Sequence, residues 1–216
     1  MRDHPQNGAG DRSRRGPAAV LAVQDIDAMI AACSRRSPSG QRNRALLAVM
    51  RHTGARVGTV LALRRSDLQL ATGGRAGSIT LRLSLKGGRA YTLPLHPWAE
   101  AEIRAWLGWR QIYAPRSLWL FCTISQPHPG GMLERRYVAR MMTRAAKRAG
   151  IEGRVHPHAL RASLAVELHD RGVPVAVIRD ILGHSSIATT DSYLRRLGTS
   201  ARDALLQIPN PLEEQP

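Results

Sequence analysis

The chain has 216 residues, enough for one domain with short tails and too few for a second full domain. Lysine and arginine total 32 against 16 acidic residues, and the resulting formal charge of +16 indicates a polyanionic partner. No segment has the unbroken apolar length of a membrane span or of a secretory signal, so we expect a cytosolic protein. Charge alone leaves DNA, RNA and membrane surfaces open, and an arginine-biased composition offers a further explanation without any binding role.

The first third of the chain predicts helices. Residues 1–18 mix Gly, Pro, Arg and Asp without an apolar period, which predicts a disordered basic tail. A helical pattern begins at Val23, breaks over residues 37–40 and resumes until Gly54, which is placed to end a helix. The glycine-rich residues 71–77 predict a loop.

The middle of the chain predicts a β-hairpin. Apolar and polar residues alternate over residues 78–85, which is the period of a half-buried strand, and residues 91–95 repeat the alternation. The sequence Lys86-Gly87-Gly88-Arg89 between them supplies the glycines of a tight turn. This pattern places Lys86 at the tip of the hairpin.

The remainder of the chain predicts helices and loops. Helical patterns cover residues 98–113, 133–150, 158–172, 174–183, 187–197 and 200–208, before a Pro-bounded tail at 209–216. The fold class is therefore mainly α with a small antiparallel β-sheet, an α+β domain over residues 19–208. Cys33 and Cys122 are too few and too far apart for a disulfide framework or a zinc site, and both are expected to be core or bystander thiols.

Four polar residues near the C-terminus can meet in one site. His158 and Arg161 are three residues apart at the start of a helix whose leucines mark a different stripe, so both side chains can face one cleft. His184 follows a helix stop, and Tyr193 comes nine residues later. Taken singly, such histidines are more often structural, and such a tyrosine is more often a half-buried aromatic. A metal site at His156 and His158 is disfavoured because Pro157 intervenes and no Cys or carboxylate joins them.

These motifs occur together in an order that resembles a known family. The segments TGARVGTVLALRRSDL, a lysine hairpin, HPHALRAS and LGHSSIATTDSYLRR follow one another as in the tyrosine recombinases and phage integrases, and the resemblance covers about residues 23–197. It implies the catalytic-domain fold of that family, no cofactor or metal, double-stranded DNA as the partner, and self-association on DNA with a tetramer as one option. A further hypothesis from the resemblance is that the segment after Tyr193 docks on a neighbouring subunit.

The resemblance further implies six catalytic residues. Arg56 and Arg161 resemble the two arginines that clamp the scissile phosphate. Lys86 resembles the lysine of the family's hairpin, and His158 and His184 resemble its two histidines. Tyr193 resembles the nucleophile. In this scheme Tyr193 forms a 3′-phosphotyrosine link while the 5′ oxygen leaves. His158 is the candidate proton acceptor, Lys86 the proton donor to the 5′ oxygen, and His184 a hydrogen-bond donor to the phosphate.

The sequence departs from the family pattern at three points, and the third motivates one alternative function. Thr59 stands where an acidic residue is usual, Ala162 stands where His is common, and residues 1–22 are too few for the usual N-terminal core-binding domain, which we expect to be absent. The alternatives to a site-specific recombinase or integrase are a type IB topoisomerase-like activity and a truncated, noncatalytic DNA-binding module.

Overall fold

The computed structural model describes residues 20–70, 79–84, 90–125, 128–153 and 155–183. These residues form a mainly helical domain with a small antiparallel sheet, which confirms the predicted fold class. The elements are α1 (Val23–Ala31), α2 (Pro38–Thr53), α3 (Val57–Leu61), β1 (Leu68–Leu70), β2 (Ile79–Ser84), β3 (Ala90–Pro94), α4 (Pro97–Tyr113), α5 (Arg135–Arg148), α6 (Pro157–Asp170) and α7 (Val175–Leu182). The predicted tails, the loop at 71–77, the turn with Lys86 and the helices after Gly183 lie outside the described residues.

Helix α2 begins earlier than the sequence pattern predicted. The predicted break between the two helices exists, but it lies at residues 32–37 and not at 37–40, because Ser37 is the N-cap and its hydroxyl accepts a hydrogen bond from the Gly40 amide at 3.2 Å. Pro38 occupies the first helical turn, where its missing N–H leaves no helix bond unmade. The prediction that Gly54 ends the helix is confirmed, and this glycine has a φ of 60°.

Within the described residues the sheet contains three antiparallel strands in chain order. In the central strand β2, Ile79, Leu81 and Leu83 are buried, which confirms the two-residue period. Strand β1 was not predicted, because three residues with one buried side chain show no recognisable period. Ser84 at the end of β2 lies opposite Ala90 at the start of β3, so the described parts of the hairpin flank the segment that carries Lys86.

Two apolar clusters hold the helices together. The larger joins α1, α2, α4, α5 and the buried face of the sheet, and it encloses Trp106, whose indole N–H donates to the Leu120 carbonyl at 2.8 Å. The smaller joins α6 to α7. Helix α6 contributes to both clusters, Leu160 to the larger and Leu164 to the smaller, and this double attachment fixes the orientation of its first turns.

A buried ionic network stabilises the contact between α2 and α4. The Arg44 guanidinium donates to both Glu102 carboxylate oxygens, at 3.0 and 2.7 Å, and Gln41 and Arg35 donate to the same carboxylate at 2.8 and 2.9 Å. Burial acts to raise the pKa of Glu102, but these hydrogen bonds and the charge of Arg44 outweigh it and lower the pKa to about 2. The charge of Arg44 is therefore balanced inside the fold.

Cys33 and Cys122 are buried free thiols, as expected. No helix within the described ranges combines the length and the apolar character needed to cross a bilayer.

Candidate active site

Three of the six predicted site residues line one cleft. The cleft has a volume of about 600 Å³ and lies between the start of α3, the start of α6 and the end of β2. Arg56 is exposed at the N-cap of α3, His158 is exposed in the first turn of α6, and Arg161 follows one turn later. The tertiary structure therefore brings together side chains that are about one hundred residues apart in sequence.

Arg161 is held at the back of this cleft by main-chain carbonyl groups. Its side chain is almost fully buried, and its two terminal nitrogens donate to the carbonyl of Gly54 at 2.7 Å and to that of Leu182 at 2.8 Å. These carbonyls belong to the ends of α2 and α7, where a helix leaves its last carbonyls without intrahelical partners. Arg161 thus connects three helices, and the carbonyl bonds orient its guanidinium.

Gly54 permits this arrangement because no side chain fits at its position. A Cβ atom there would lie 2.6 Å from Leu182 Cδ2 and 2.9 Å from Leu164 Cδ2, and the φ of 60° is one that residues with a side chain rarely adopt. The close contact lets the end of α2 approach α6 and α7. Its carbonyl can therefore reach Arg161.

The sequence analysis did not identify Arg135, which also lines the cleft. Its guanidinium lies against Gly58 in α3, where an added Cβ would come within 2.7 Å of Arg135 Nη2. No spacing in the sequence links this arginine, at the start of α5, with the His158 and Arg161 motif. Only the packing of α5 against α3 brings it to the cleft.

The described lining of the cleft is strongly basic. It contains three arginines and two histidines and no Asp or Glu; the residues are Ala55, Arg56, Val57, Gly58, Thr59, Ala62, Ser84, Arg135, His156, Pro157, His158 and Arg161. Such a lining favours an anionic ligand. Within the described ranges, no three His, Cys, Asp or Glu side chains are grouped as a metal site would require.

A larger groove of about 940 Å³ has a different character. It is lined by residues of α1, α2, α4, α6 and β3, and it includes the carboxylates Asp27, Glu102 and Glu167. One of these, Glu167, forms an ion pair with Arg51 at 2.6 Å. Because its positive charges are accompanied by carboxylates, this groove is the poorer site for a phosphate.

The other three predicted residues, Lys86, His184 and Tyr193, lie outside the described residues. Described residues close in sequence to two of them belong to the site. Ser84, two residues before Lys86, lines the cleft, and Leu182, two residues before His184, accepts a hydrogen bond from Arg161. Of the two positions that depart from the family pattern, Thr59 lines the cleft and Ala162 is buried in the smaller apolar cluster.

Comparison with known proteins identifies the family. The model of the phage integrase family matches residues 19–198. The tyrosine recombinase XerD of Lacticaseibacillus casei is 32% identical over 181 residues, which cover 81% of this chain and 57% of that protein. XerD of Halalkalibacterium halodurans is 28% identical over 88% of this chain and 61% of its own length. The chain thus spans about three fifths of the length of these relatives.

Solved structures agree with the fold. The XerA recombinase superimposes with a TM-score of 0.69 at 26% identity, over 89% of this chain and 66% of that one. The XerH site-specific recombinase, solved in a post-cleavage complex with its difH substrate, gives a TM-score of 0.71 at 23% identity over 88% of this chain and 52% of that one. The resemblance inferred from the sequence motifs is confirmed. The chain belongs to the phage integrase family.

Proposed function

We propose that this protein is a site-specific DNA recombinase that cuts and rejoins strands through a 3′-phosphotyrosine link to Tyr193. The observation that carries the proposal is the cleft in which Arg56, His158 and Arg161 meet among lining residues that, in the described part of the chain, include no carboxylate. The relatives support it, because they are tyrosine recombinases and one structural neighbour was solved after cleavage of its DNA substrate.

The proposed substrate is a phosphodiester of double-stranded DNA. Planar guanidinium groups donate two parallel hydrogen bonds to the nonbridging oxygens of a phosphate, and they keep their charge at any physiological pH. Arg56 and Arg161 approach the cleft from different elements, so the two can contact a phosphate from separate directions. As negative charge develops on the phosphorus centre, both guanidinium groups would stabilise the transition state more strongly than the ground state.

The proposed reaction conserves the energy of the cut bond. The Tyr193 hydroxyl attacks phosphorus in line, its proton passes to His158, and the bond from phosphorus to the 5′ oxygen breaks. The 5′ oxygen receives a proton from Lys86, and His184 donates a hydrogen bond to the phosphate. Rejoining is the reverse reaction: a 5′ hydroxyl attacks the phosphotyrosine ester, gives its proton to Lys86 and releases Tyr193, which regains a proton from His158.

We further propose that copies of the chain associate on DNA, because exchange between two duplexes requires several cuts in one complex. One structural neighbour, with a TM-score of 0.58, is a lambda integrase tetramer bound to a Holliday junction. The proposal predicts species larger than one copy per DNA in mass measurements of the complex. A single copy on every DNA that is cut would contradict it.

The test of the proposed function is covalent trapping. The full chain is incubated with supercoiled plasmid and with DNA of the source organism in EDTA, denatured, and examined for protein-linked DNA, whose ends are then sequenced. We expect an adduct that Tyr193→Phe abolishes, because phenylalanine has no nucleophilic oxygen. Tyr113→Phe is the matched control, since Tyr113 is an exposed tyrosine at the end of α4, and it should form the adduct at the normal rate.

The other outcomes identify the alternatives. The noncatalytic DNA-binding module would be favoured if the wild type binds DNA in a salt-dependent way and forms no adduct. In that case Tyr193→Phe should have the same measurable activities as the wild type. Relaxation of any supercoiled plasmid, without strand exchange at a recovered site, would favour the topoisomerase-like activity.

A further inference from the structure

Tyr91 connects two parts of the molecule that lead to proposed catalytic residues. It lies in β3, paired with Leu83 of β2, and its hydroxyl donates a hydrogen bond to the Ile181 carbonyl of α7 at 3.2 Å. The strand follows the segment that contains Lys86, and α7 precedes His184. This hydrogen bond is therefore a direct link between the hairpin and the end of α7.

The end of α7 is held by two side chains acting on adjacent carbonyls. Tyr91 binds the carbonyl of Ile181, and Arg161 binds that of Leu182. Both carbonyls belong to the last two residues of the helix, where a helix leaves its carbonyls without intrahelical donors, whereas the Gly183 amide donates to the carbonyls of Arg179 and Asp180. Immediately afterwards Gly183 adopts a φ of 62°, which ends the helix and turns the chain.

The chemistry of the Tyr91 hydroxyl suits a donor better than a nucleophile. Burial raises its pKa, and the nearby charges of Arg161 and Arg56 only partly oppose this effect. The phenol therefore stays protonated at neutral pH and continues to donate to Ile181.

We propose that Tyr91 is a positioning residue. By binding the Ile181 carbonyl, it fixes the end of α7 relative to the hairpin strand β3. The segment that carries His184 and Tyr193 starts from this fixed end. The inference rests on the proposed recombinase function. It assigns Tyr91 no contact with DNA and no covalent role. Loss of the hydroxyl should slow the chemical step and leave the affinity for DNA unchanged.

The test compares two tyrosine hydroxyls. Tyr91→Phe removes the bond to Ile181 and keeps the ring. Tyr137→Phe is the matched control, because the Tyr137 hydroxyl is also hydrogen-bonded inside the fold, to Arg42 and Asn43, and Tyr137 does not line the cleft. Single-turnover cleavage is measured at saturating protein on DNA that carries the site recovered by trapping, and the dissociation constant for the same DNA is measured separately.

We expect Tyr91→Phe to reduce the single-turnover rate about fivefold, the factor that corresponds to one typical hydrogen bond. Its dissociation constant should equal that of the wild type. Tyr137→Phe should lower the melting temperature and cleave at the normal rate. An unchanged rate for Tyr91→Phe, an equal loss in both variants, or a DNA adduct mapped to Tyr91 would overturn the proposal.

Hydrogen exchange tests the same link without requiring activity. In Tyr91→Phe, the amides of the peptide covering residues 178–183 should exchange about fivefold faster than in the wild type, and in Tyr137→Phe they should not. If the wild type forms no adduct, the recombinase function itself fails, and faster exchange would still establish that Tyr91 holds the end of α7. Unchanged exchange in Tyr91→Phe would overturn the positioning role whether or not the protein cleaves DNA.

Discussion

Arg44 and Arg161 are both almost fully buried, yet their surroundings differ. Arg44, between α2 and α4, donates to both oxygens of the Glu102 carboxylate, and the pair is neutral as a unit. Its remaining terminal nitrogen donates to main-chain carbonyls at the end of α1 and just after it. Arg161, at the cleft, donates to the carbonyl groups of Gly54 and Leu182. A carboxylate removes the net charge of a guanidinium, whereas a carbonyl orients the group and leaves the charge in place.

The larger groove and the cleft, both lined by described residues, differ in the same way. In the groove of about 940 Å³, carboxylates accompany the arginines, as in the ion pair of Arg51 with Glu167. In the cleft of about 600 Å³, the described lining contains arginines and histidines with no Asp or Glu. We infer that the first region uses arginine for stability and the second uses it for an anionic ligand. The following predictions test that division, from the largest expected effect to the smallest.

Replacing Arg161 or Arg44 by lysine should separate an effect on catalysis from an effect on stability. Arg161→Lys should lower the single-turnover cleavage rate about a thousandfold, because one ammonium group cannot bond two carbonyls and also present a planar pair of donors to a phosphate. Arg44→Lys should lower the melting temperature while the folded protein cleaves at the normal rate. Rates are compared at a temperature where both variants are folded. Equal losses of rate would mean that Arg161, like Arg44, is structural.

The Glu102 network should make stability depend on pH. The pKa of about 2 in the folded protein is below the ordinary value of 4.5, so the folded state binds fewer protons than the unfolded state between these values. The stabilisation is therefore complete above about pH 4.5 and declines as the pH falls towards 2. Glu102→Gln should lower the free energy of unfolding by about 3 kcal/mol at neutral pH. The difference in this free energy between the variant and the wild type should shrink as the pH falls below about 4.5.

Urea unfolding at a series of pH values measures this effect. Glu134→Gln is the matched control, because the side chains of Glu134 and its ion-pair partner Arg136 are 68% and 78% exposed. An exposed pair contributes about 0.5 kcal/mol or less, so this variant should resemble the wild type throughout. A pH-independent difference between Glu102→Gln and the wild type would show that the ionised carboxylate does not stabilise α2 against α4.

Removing a cation from the cleft should weaken binding of DNA more than removing one elsewhere. Arg135→Gln should reduce affinity about tenfold at low salt and decrease the slope of log affinity against log salt by about 1, the change expected for one lost phosphate contact. Arg36→Gln is the matched control, since Arg36 is exposed in the connection between α1 and α2 and does not line the cleft. Equal slopes for the two variants would contradict a role for Arg135 in binding phosphate.

The sequence could predict the features that depend on local patterns. The leucine alternation of β2 predicted a strand, and Gly54 and Gly183 predicted helix ends, because periodicity and backbone freedom act over a few residues. The motif around His158 and Arg161 predicted one shared cleft, because two residues three positions apart in a helix point in similar directions. The order of motifs predicted the family. In contrast, β1 and the start of α2 at Pro38 were missed, because their local signals are weak or ambiguous.

Only the tertiary structure revealed which distant groups meet. Arg135 reaches the cleft because α5 packs on α3, and Tyr91 reaches Ile181 because β3 lies beside the end of α7. No periodicity encodes such contacts, since they depend on how whole elements pack after each has formed. The sequence thus determined the elements, the family and the candidate residues. Packing decided that Arg44 meets the Glu102 carboxylate and that Arg161 meets the Gly54 carbonyl beside the cleft, and both contacts join residues far apart in the chain.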